Sequence, residues 1–344
     1  MRPVPHGPSF SADSAETDPT LPGYGSLIPA TPESATEPLP EGAESSAEAR
    51  RSVTVGIWLA IASALGFSFK SILVKLAYPW GVDAVTLLVL RMSLALPVFL
   101  WLGWRAPRPA RTDPLSPRDW ASLAGLGVAG YYAASILDFV GLQYITAGLE
   151  RLILFAYPTF TVLIGVFVFR RSWHRREAVC LALSYAGIAL AVAHDLKINR
   201  EGGAVLLGSL AVLSSALCYA GYLAGSANLI TRMGTFRFAA GAMGVSTLAT
   251  LCHFALTRPW AALIQPWPVT LIALSMALFS TVLPVLALAA AIRRVGSNRA
   301  AMVGTIGPAL TIGLGWLILG EAISLWQIAG ATLVIIGVRV AARH

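Results

Sequence analysis

Six ionisable side chains interrupt stretches of sequence that are otherwise apolar: Lys70, Lys75, Arg91, Asp138, Glu150 and Arg151. At the centre of a hydrocarbon layer each such charge costs about 2.5–3.5 kcal/mol on insertion scales. Residues of this kind are retained where they pair with one another, line a water-filled path or bind a charged solute. Four are cations and two are carboxylates. If Asp138 and Glu150 each neutralise one cation, two positive charges are left for a substrate, water or backbone carbonyls. The expectation is a cavity that favours anionic or zwitterionic metabolites, with Lys70 and Arg91 recognising a carboxylate. The competing reading is a set of internal ion pairs that fastens helices together.

Proton coupling would need a carboxyl group that desolvation allows to hold a proton near neutral pH. Glu150 is the first candidate and Asp138 the second, with Lys75 and Arg151 grouped beside them as counter-ions. A cation close to Glu150 would instead make it a fixed counter-ion. Phe67, Tyr131, Tyr132 and Ser135, with Tyr219 and Tyr222, are expected to complete the lining of a central path, and Ser63, Ser215 and Thr281 are further candidates. Pro158, Pro284 and Pro308 fall inside apolar segments, where a missing N–H kinks a helix and frees carbonyls, and they read as hinges.

Other chemistry finds little support. No segment carries HExxH, and no Ser and His are spaced as nucleophile and base, so neither an enzyme nor a cofactor is expected. Cys180, Cys218 and Cys252 show no metal-ligand or redox spacing and read as small buried hydrophobes. A receptor or scaffold would not need buried charges.

The elements that must position these residues follow from composition. Of 344 residues, 56% are hydrophobic and 12% charged, against about 25% charged in a soluble domain. Ten apolar segments are expected to cross a bilayer: 56–78, 82–104, 120–141, 147–169, 177–194, 203–224, 235–256, 268–291, 297–319 and 323–341. Lipid offers no partner for an unpaired backbone group and the segments lack strand alternation, so the fold is an all-α integral membrane protein. Residues 1–52, rich in Pro, Ser, Thr and Glu, are expected to form a disordered N-terminal tail without a secretory signal.

Basic residues set the orientation. With both termini cytoplasmic, the inner side receives Arg50, Arg51, Arg105, Arg108, Arg111, Arg118, Arg170, Arg171, Arg175, Arg176, Arg232, Arg237, Arg293, Arg294, Arg299, Arg339 and Arg343. The outer side receives only Lys197, Arg200 and Arg258. That bias is what positive-inside selection produces, and it removes any need for a nucleic-acid partner to explain the net charge of +8.

The chain also repeats. An offset of 150 places Pro158 on Pro308, Gly165 on Gly315 and Gly187 on Gly337, and an offset of 152 places Ser63-Ala64-Leu65 on Ser215-Ala216-Leu217. Two repeats are expected, 53–198 and 199–344, of five spans each. Five is odd, so the halves enter the membrane in opposite directions.

The stretch Gly304-Thr305-Ile306-Gly307-Pro308-Ala309-Leu310, then Leu319-Gly320-Glu321, Trp326-Gln327-Ile328-Ala329-Gly330-Ala331 and Ile336-Gly337-Val338, resembles the end of an EamA domain of the drug/metabolite transporter (DMT) superfamily. Arg91, Gly148-Leu149-Glu150-Arg151 and Tyr157-Pro158-Thr159 are similar to its first half. The resemblance implies ten helices in two inverted repeats, a path between the halves, and secondary transport of small metabolites or drugs, commonly outward, across a bacterial inner membrane. An importer or exchanger like the nucleotide-sugar carriers is the alternative, and the protein is expected as a monomer or homodimer in the lipid bilayer. One departure stands out: Leu319-Gly320-Glu321 aligns with Phe169-Arg170-Arg171, so Glu321 has no counterpart, and it is expected to cap the last helix.

Overall fold

The computed structural model describes residues 43–107, 114–168, 170, 175–198 and 202–342. The tail through Gly42, and Arg108, Arg111, Arg171, Arg200 and Arg343, lie outside the described residues. The described chain is built of helices joined by short loops: α1 (Ala43–Ala77), α2 (Ala84–Arg105), α3 (Pro117–Gly127), α4 (Ala134–Gly141), α5 (Ala147–Leu154), α6 (Tyr157–Phe167), α7 (Arg175–Ile198), α8 (Gly202–Met233), α9 (Thr235–Thr257), α10 (Trp267–Ala277), α11 (Leu283–Gly304, broken by a kink at Gly296), α12 (Gly307–Leu314) and α13 (Leu325–Ala342). Among the described residues nine helical stretches are long and apolar enough to cross a bilayer, and α13 adds a shorter apolar run, Leu325–Gly337. The first helix starts at Ala43, so residues 43–52, expected to be disordered, are helical. Ala, Glu and Arg dominate that stretch, and adding good helix formers to an existing helix avoids the cost of a new nucleus.

Departures from regular helix recur at the repeat distance. In the third span α3 passes into α4 through a π turn, Val128–Ala133, and in the eighth α10 passes into α11 through another, Leu278–Val282. The fourth span breaks at Phe155 and Ala156, just before Pro158, and the ninth at Thr305 and Ile306, just before Pro308. Proline lacks an N–H and crowds the carbonyl four residues back, so each helix restarts with its proline in the first turn, where no N–H partner is needed. Left-handed backbone recurs in part: Gly81 (φ 79°) matches Gly234 (φ 82°) and Arg170 (φ 54°) matches Gly320 (φ 68°), whereas Gly296 (φ 81°) has no counterpart among the described residues. Arginine thus adopts a conformation for which the second half uses glycine.

Packing follows a two-fold exchange of the halves. Helix α1 lies along α11 and α12, and its mate α8 lies along α4 and α6; α2 pairs with α9, and α7 with α13. In the last pair Gly187 and Gly330 meet so closely that a Cβ on either would lie 2.5 Å from the other's carbonyl oxygen. Two buried hydroxyls obey the same exchange: Ser63 Oγ donates to the Pro284 carbonyl at 2.8 Å, and Ser215 Oγ to the Ala134 carbonyl at 2.6 Å. These serines, candidates for path lining, instead clamp the first helix of each half to the π-distorted span of the other. Thr281 is likewise occupied, donating to the Met276 carbonyl at 3.0 Å inside its own span.

Helix α2 starts at a cap that also joins the halves. Asp83 accepts from the N–H groups of Val85 and Thr86 and from the Thr86 hydroxyl at 2.6 Å, and Arg258 Nε lies 3.2 Å from its carboxylate. Burial pushes the Asp83 carboxyl up, but the Thr86 and Arg258 interactions outweigh it and hold the group below the usual carboxylate range. The stabilisation is therefore present at neutral pH and lost as the pH falls through the lowered value. Asp83→Ala should cost about 1 kcal/mol at pH 7, with the deficit shrinking toward zero in strong acid. Thermal melts of both proteins across pH check this, and a deficit that did not change with pH would refute the charged cap.

Candidate functional site

Lys70 lies about two turns before the end of α1, whose neighbours in the bundle include α5. Its Nζ is 2.6 Å from Asp138 Oδ2 on α4 and 3.5 Å from Glu150 Oε1 on α5. The other Glu150 oxygen accepts the Ser71 hydroxyl at 2.5 Å. Glu150 is wholly buried and Asp138 nearly so, while Lys70 keeps a sixth of its side-chain surface, 17%. One ammonium thus serves two carboxylates from two other helices. Each carboxylate retains one oxygen without a hydrogen bond, Asp138 Oδ1 and Glu150 Oε1.

Two guanidiniums lie close by without a carboxylate partner among the described residues. Arg91, 5% exposed on α2, donates to Ser135 Oγ at 3.1 Å and stands over the Phe139 ring at 5.2 Å. Arg151 follows Glu150 on α5 but points about 100° away from it around the helix axis. It stands over the Phe155 ring at 5.5 Å and faces Gly307 of α12. In both arginines Nε is buried and unpartnered.

Aromatic rings connect the two arginines. Tyr131, beside Arg91, meets Tyr222 edge-on at 5.3 Å; Tyr222 stacks on Tyr219 at 6.0 Å; Tyr219 meets Tyr157 at 5.1 Å; and Tyr157 meets Phe155 at 5.9 Å, beneath Arg151. Tyr131, Tyr157 and Tyr219 remain half-buried although they sit among the helices of both halves. The structure therefore brings together Lys70, Arg91, Ser135, Asp138, Glu150, Arg151, Tyr131, Tyr219 and Tyr222. Phe67 is half-buried one turn before Lys70 on α1. Tyr132 turns elsewhere: its hydroxyl meets His253 Nδ1 on α9 at 3.0 Å, away from the tyrosine arc.

Lys75 and Glu321 form a separate pair at 3.4 Å. Both Glu321 oxygens accept the Ala147 N–H at 3.0 Å, at the start of α5, where Thr146 Oγ1 accepts the Leu149 N–H at 3.2 Å. Glu321 therefore caps α5 in the opposite half rather than the last helix, whose start is met by Ser324 Oγ accepting the Trp326 N–H at 3.2 Å. The reason is positional: left-handed Gly320 ends the preceding helix and turns Glu321 back over Gly315, where a Cβ would lie 2.9 Å from the carboxylate. Gln327 extends the contact, donating to Asp195 Oδ2 at 3.1 Å and to Thr146 Oγ1 at 3.3 Å. Because Lys75 is neutralised by Glu321, the inner cluster of Lys70, Arg91, Arg151, Asp138 and Glu150 carries one net positive charge when all are ionised, instead of two.

Sequence reasoning missed Ser71, Phe139, Phe155, Tyr157, Asp195 and Gln327. Only Tyr157 and Gln327 carried a signal, since each falls in a stretch that resembles the family pattern. The others are ordinary residues in apolar helices, and nothing in their spacing says which helix they face.

Apolar helices packed about a two-fold exchange, nine of them long enough to cross a bilayer among the described residues, with a charged cluster between them, fit a membrane transporter fold. The profile of the EamA-like transporter family matches twice, at residues 54–193 and 206–343. The chain belongs to this family, and so to the drug/metabolite transporter superfamily. It is 31% identical over 302 residues to "Uncharacterized transporter YcbK" of Bacillus subtilis, spanning 84% of this chain and 92% of the relative. It is 23% identical over 304 residues to "Uncharacterized transporter sll1319" of Synechocystis sp., spanning 81% and 91%. A crystal structure with 16% sequence identity shares the fold at a TM-score of 0.55, covering 84% of this chain and 99% of that one.

The cap reading has a direct consequence for stability. Glu321→Ala should lower stability by about 1–2 kcal/mol through the lost cap and the unpaired Lys75, and Glu321→Gln should lose less. Thermal unfolding in detergent measures both, and an unchanged melting temperature in Glu321→Ala would remove the cap from the account.

Proposed function

We propose that the protein is a secondary transporter that carries small organic anions or zwitterions by alternating access between its two repeats, with proton binding at Glu150 or Asp138 coupled to the movement. The observation that carries this reading is the sharing of Lys70 by carboxylates on two other helices. With both ionised, Lys70 ties α1 to α4 and α5 together. A proton on Glu150 gives Lys70 wholly to Asp138 and loosens α1 from α5, which is the kind of two-state contact that an ion gradient can bias. Pro158, Pro284 and Pro308, each at the start of a helical segment beside a break or π turn, are the hinges about which the segments re-aim.

Outward movement across a bacterial inner membrane, with both termini cytoplasmic, follows from the family resemblance and the arginine-rich inner loops. An importer or exchanger would use the same cluster with the gradients reversed.

Proteoliposomes loaded with a pH-sensitive dye test the coupling against a panel of organic acids and amino acids. A substrate that moves should carry a proton flux with the native protein, and Glu150→Gln should abolish that flux and leave any residual transport independent of pH. Transport with no proton flux in the native protein, unchanged in Glu150→Gln, would remove the coupling.

A further inference from the structure

We propose that the arc from Arg151 through Phe155, Tyr157, Tyr219 and Tyr222 to Tyr131 is the cargo site, and that it takes a planar aromatic carboxylate lacking an ammonium group. The inference deepens the transport reading and rests on it.

Charge selects against an amine. The two buried carboxylates at the centre, Asp138 and Glu150, are both engaged with Lys70, and Glu150 also accepts from Ser71. A cargo ammonium would therefore have to compete with Lys70 for these same carboxylates, in a site that carries one net positive charge. Arg91 and Arg151, by contrast, lack any carboxylate partner among the described residues, and each has a buried, unpartnered Nε. A guanidinium presents a planar fork of donors that fits a carboxylate at two points.

Of the two, Arg151 is placed to receive cargo. Arg91 is 5% exposed and already spends a donor on Ser135, whereas Arg151 is half-buried and donates no hydrogen bond among the described residues. The repeat explains why the guanidinium can lie where it does. The position equivalent to Tyr157 in the second half is Gly307, and it is this glycine that faces the Arg151 guanidinium; a Cβ there would already come within 3.3 Å of Nη2. A tyrosine at that place would collide with the guanidinium and with the Phe155 ring, so the second half leaves Arg151 uncovered by a side chain from this position.

The rest of the arc selects an aromatic body. Tyr157 and Tyr219 lie within electrostatic reach of Arg151, and their rings meet edge to face at 5.1 Å. Aromatic pairs in edge-on or offset contact gain energy beyond apolar burial alone. A planar ring attached to the carboxylate would continue the sequence of ring contacts from Phe155 to Tyr131. A flexible aliphatic acid would gain the charge interaction alone.

The test uses the purified full-length protein in detergent, with binding measured by calorimetry and by ligand-induced shifts in melting temperature. Four probes separate charge from shape: indole-3-acetate, cyclohexylacetate, tryptamine and tryptophan. Indole-3-acetate should bind about tenfold more tightly than cyclohexylacetate, tryptamine should not bind, and tryptophan should be weaker than indole-3-acetate because its ammonium must compete with Lys70 for a carboxylate. Arg151→Gln should weaken indole-3-acetate about tenfold or more, and Arg151→Lys should recover part of the loss. Tyr219→Leu should erase the preference for the aromatic acid while Tyr219→Phe keeps it, and melting temperatures without ligand show whether each variant is folded.

Equal affinity for the aromatic and aliphatic acids, tryptophan binding more tightly than indole-3-acetate, or an Arg151→Gln protein that binds as the native one does would overturn the site. Should proton flux be absent while this binding pattern holds, the coupling fails and the site stands. Should coupled transport be found for cargo of another class, the reverse applies.

Discussion

The ammonium of Lys70, held between Asp138 and Glu150 in the middle of an apolar bundle, is the interaction on which the arrangement depends. Three charges removed from water are tolerable only if they meet one another with good geometry, and removing one partner from such a set typically costs about 3–5 kcal/mol. The requirement fixes the approach of α1 to α4 and α5, and it fixes their rotation, since Lys70, Asp138 and Glu150 must face a common point. Once α5 is turned so that Glu150 faces α1, Arg151 must face α12, and Tyr157 one helical break later is carried into the tyrosine arc. The distribution of charge and the shape of the central site therefore have one origin.

The second constraint is the repeat, and the two interact. The halves share their π turns, their breaks before proline and their clamping serines, so the scaffold is close to two-fold symmetric. The chemistry is not. At the same offsets the positions equivalent to Lys70, Asp138 and Glu150 are Tyr222, Leu288 and Ala300. A nearly symmetric scaffold thus holds an asymmetric centre whose buried charges stay with one half. The contact of Glu321 with Ala147 and Lys75 is asymmetric in the same way, because the first half has Arg171 where the second has Glu321.

Much of this was legible from residues alone, and its limits are instructive. Blocked hydropathy marks the spans, since a helix is the one open-ended structure that satisfies its own backbone in lipid. Pro158 and Pro308 mark two of the breaks because a ring without an N–H acts locally. The π turn at Val128–Ala133 contains no proline and left no such mark. The six intramembrane charges were visible as a set, since charge in an apolar run is conspicuous in one dimension, whereas Ser71, Phe139 and Phe155 were invisible because serine and phenylalanine are unremarkable there.

By itself, then, the sequence determined the class of fold, the repeat and most of the buried charges, Asp195 excepted, all of which depend on residue type and spacing along the chain. Pairing was decided only by the tertiary structure. Lys75 went to Glu321 instead of an inner carboxylate, Glu321 capped a helix of the other half instead of its own, and Tyr132 turned to His253 while Tyr131 joined the arc. Each choice depends on the azimuth of one helix against another, and a rotation of about 100° between consecutive residues leaves that azimuth undefined until the helices pack.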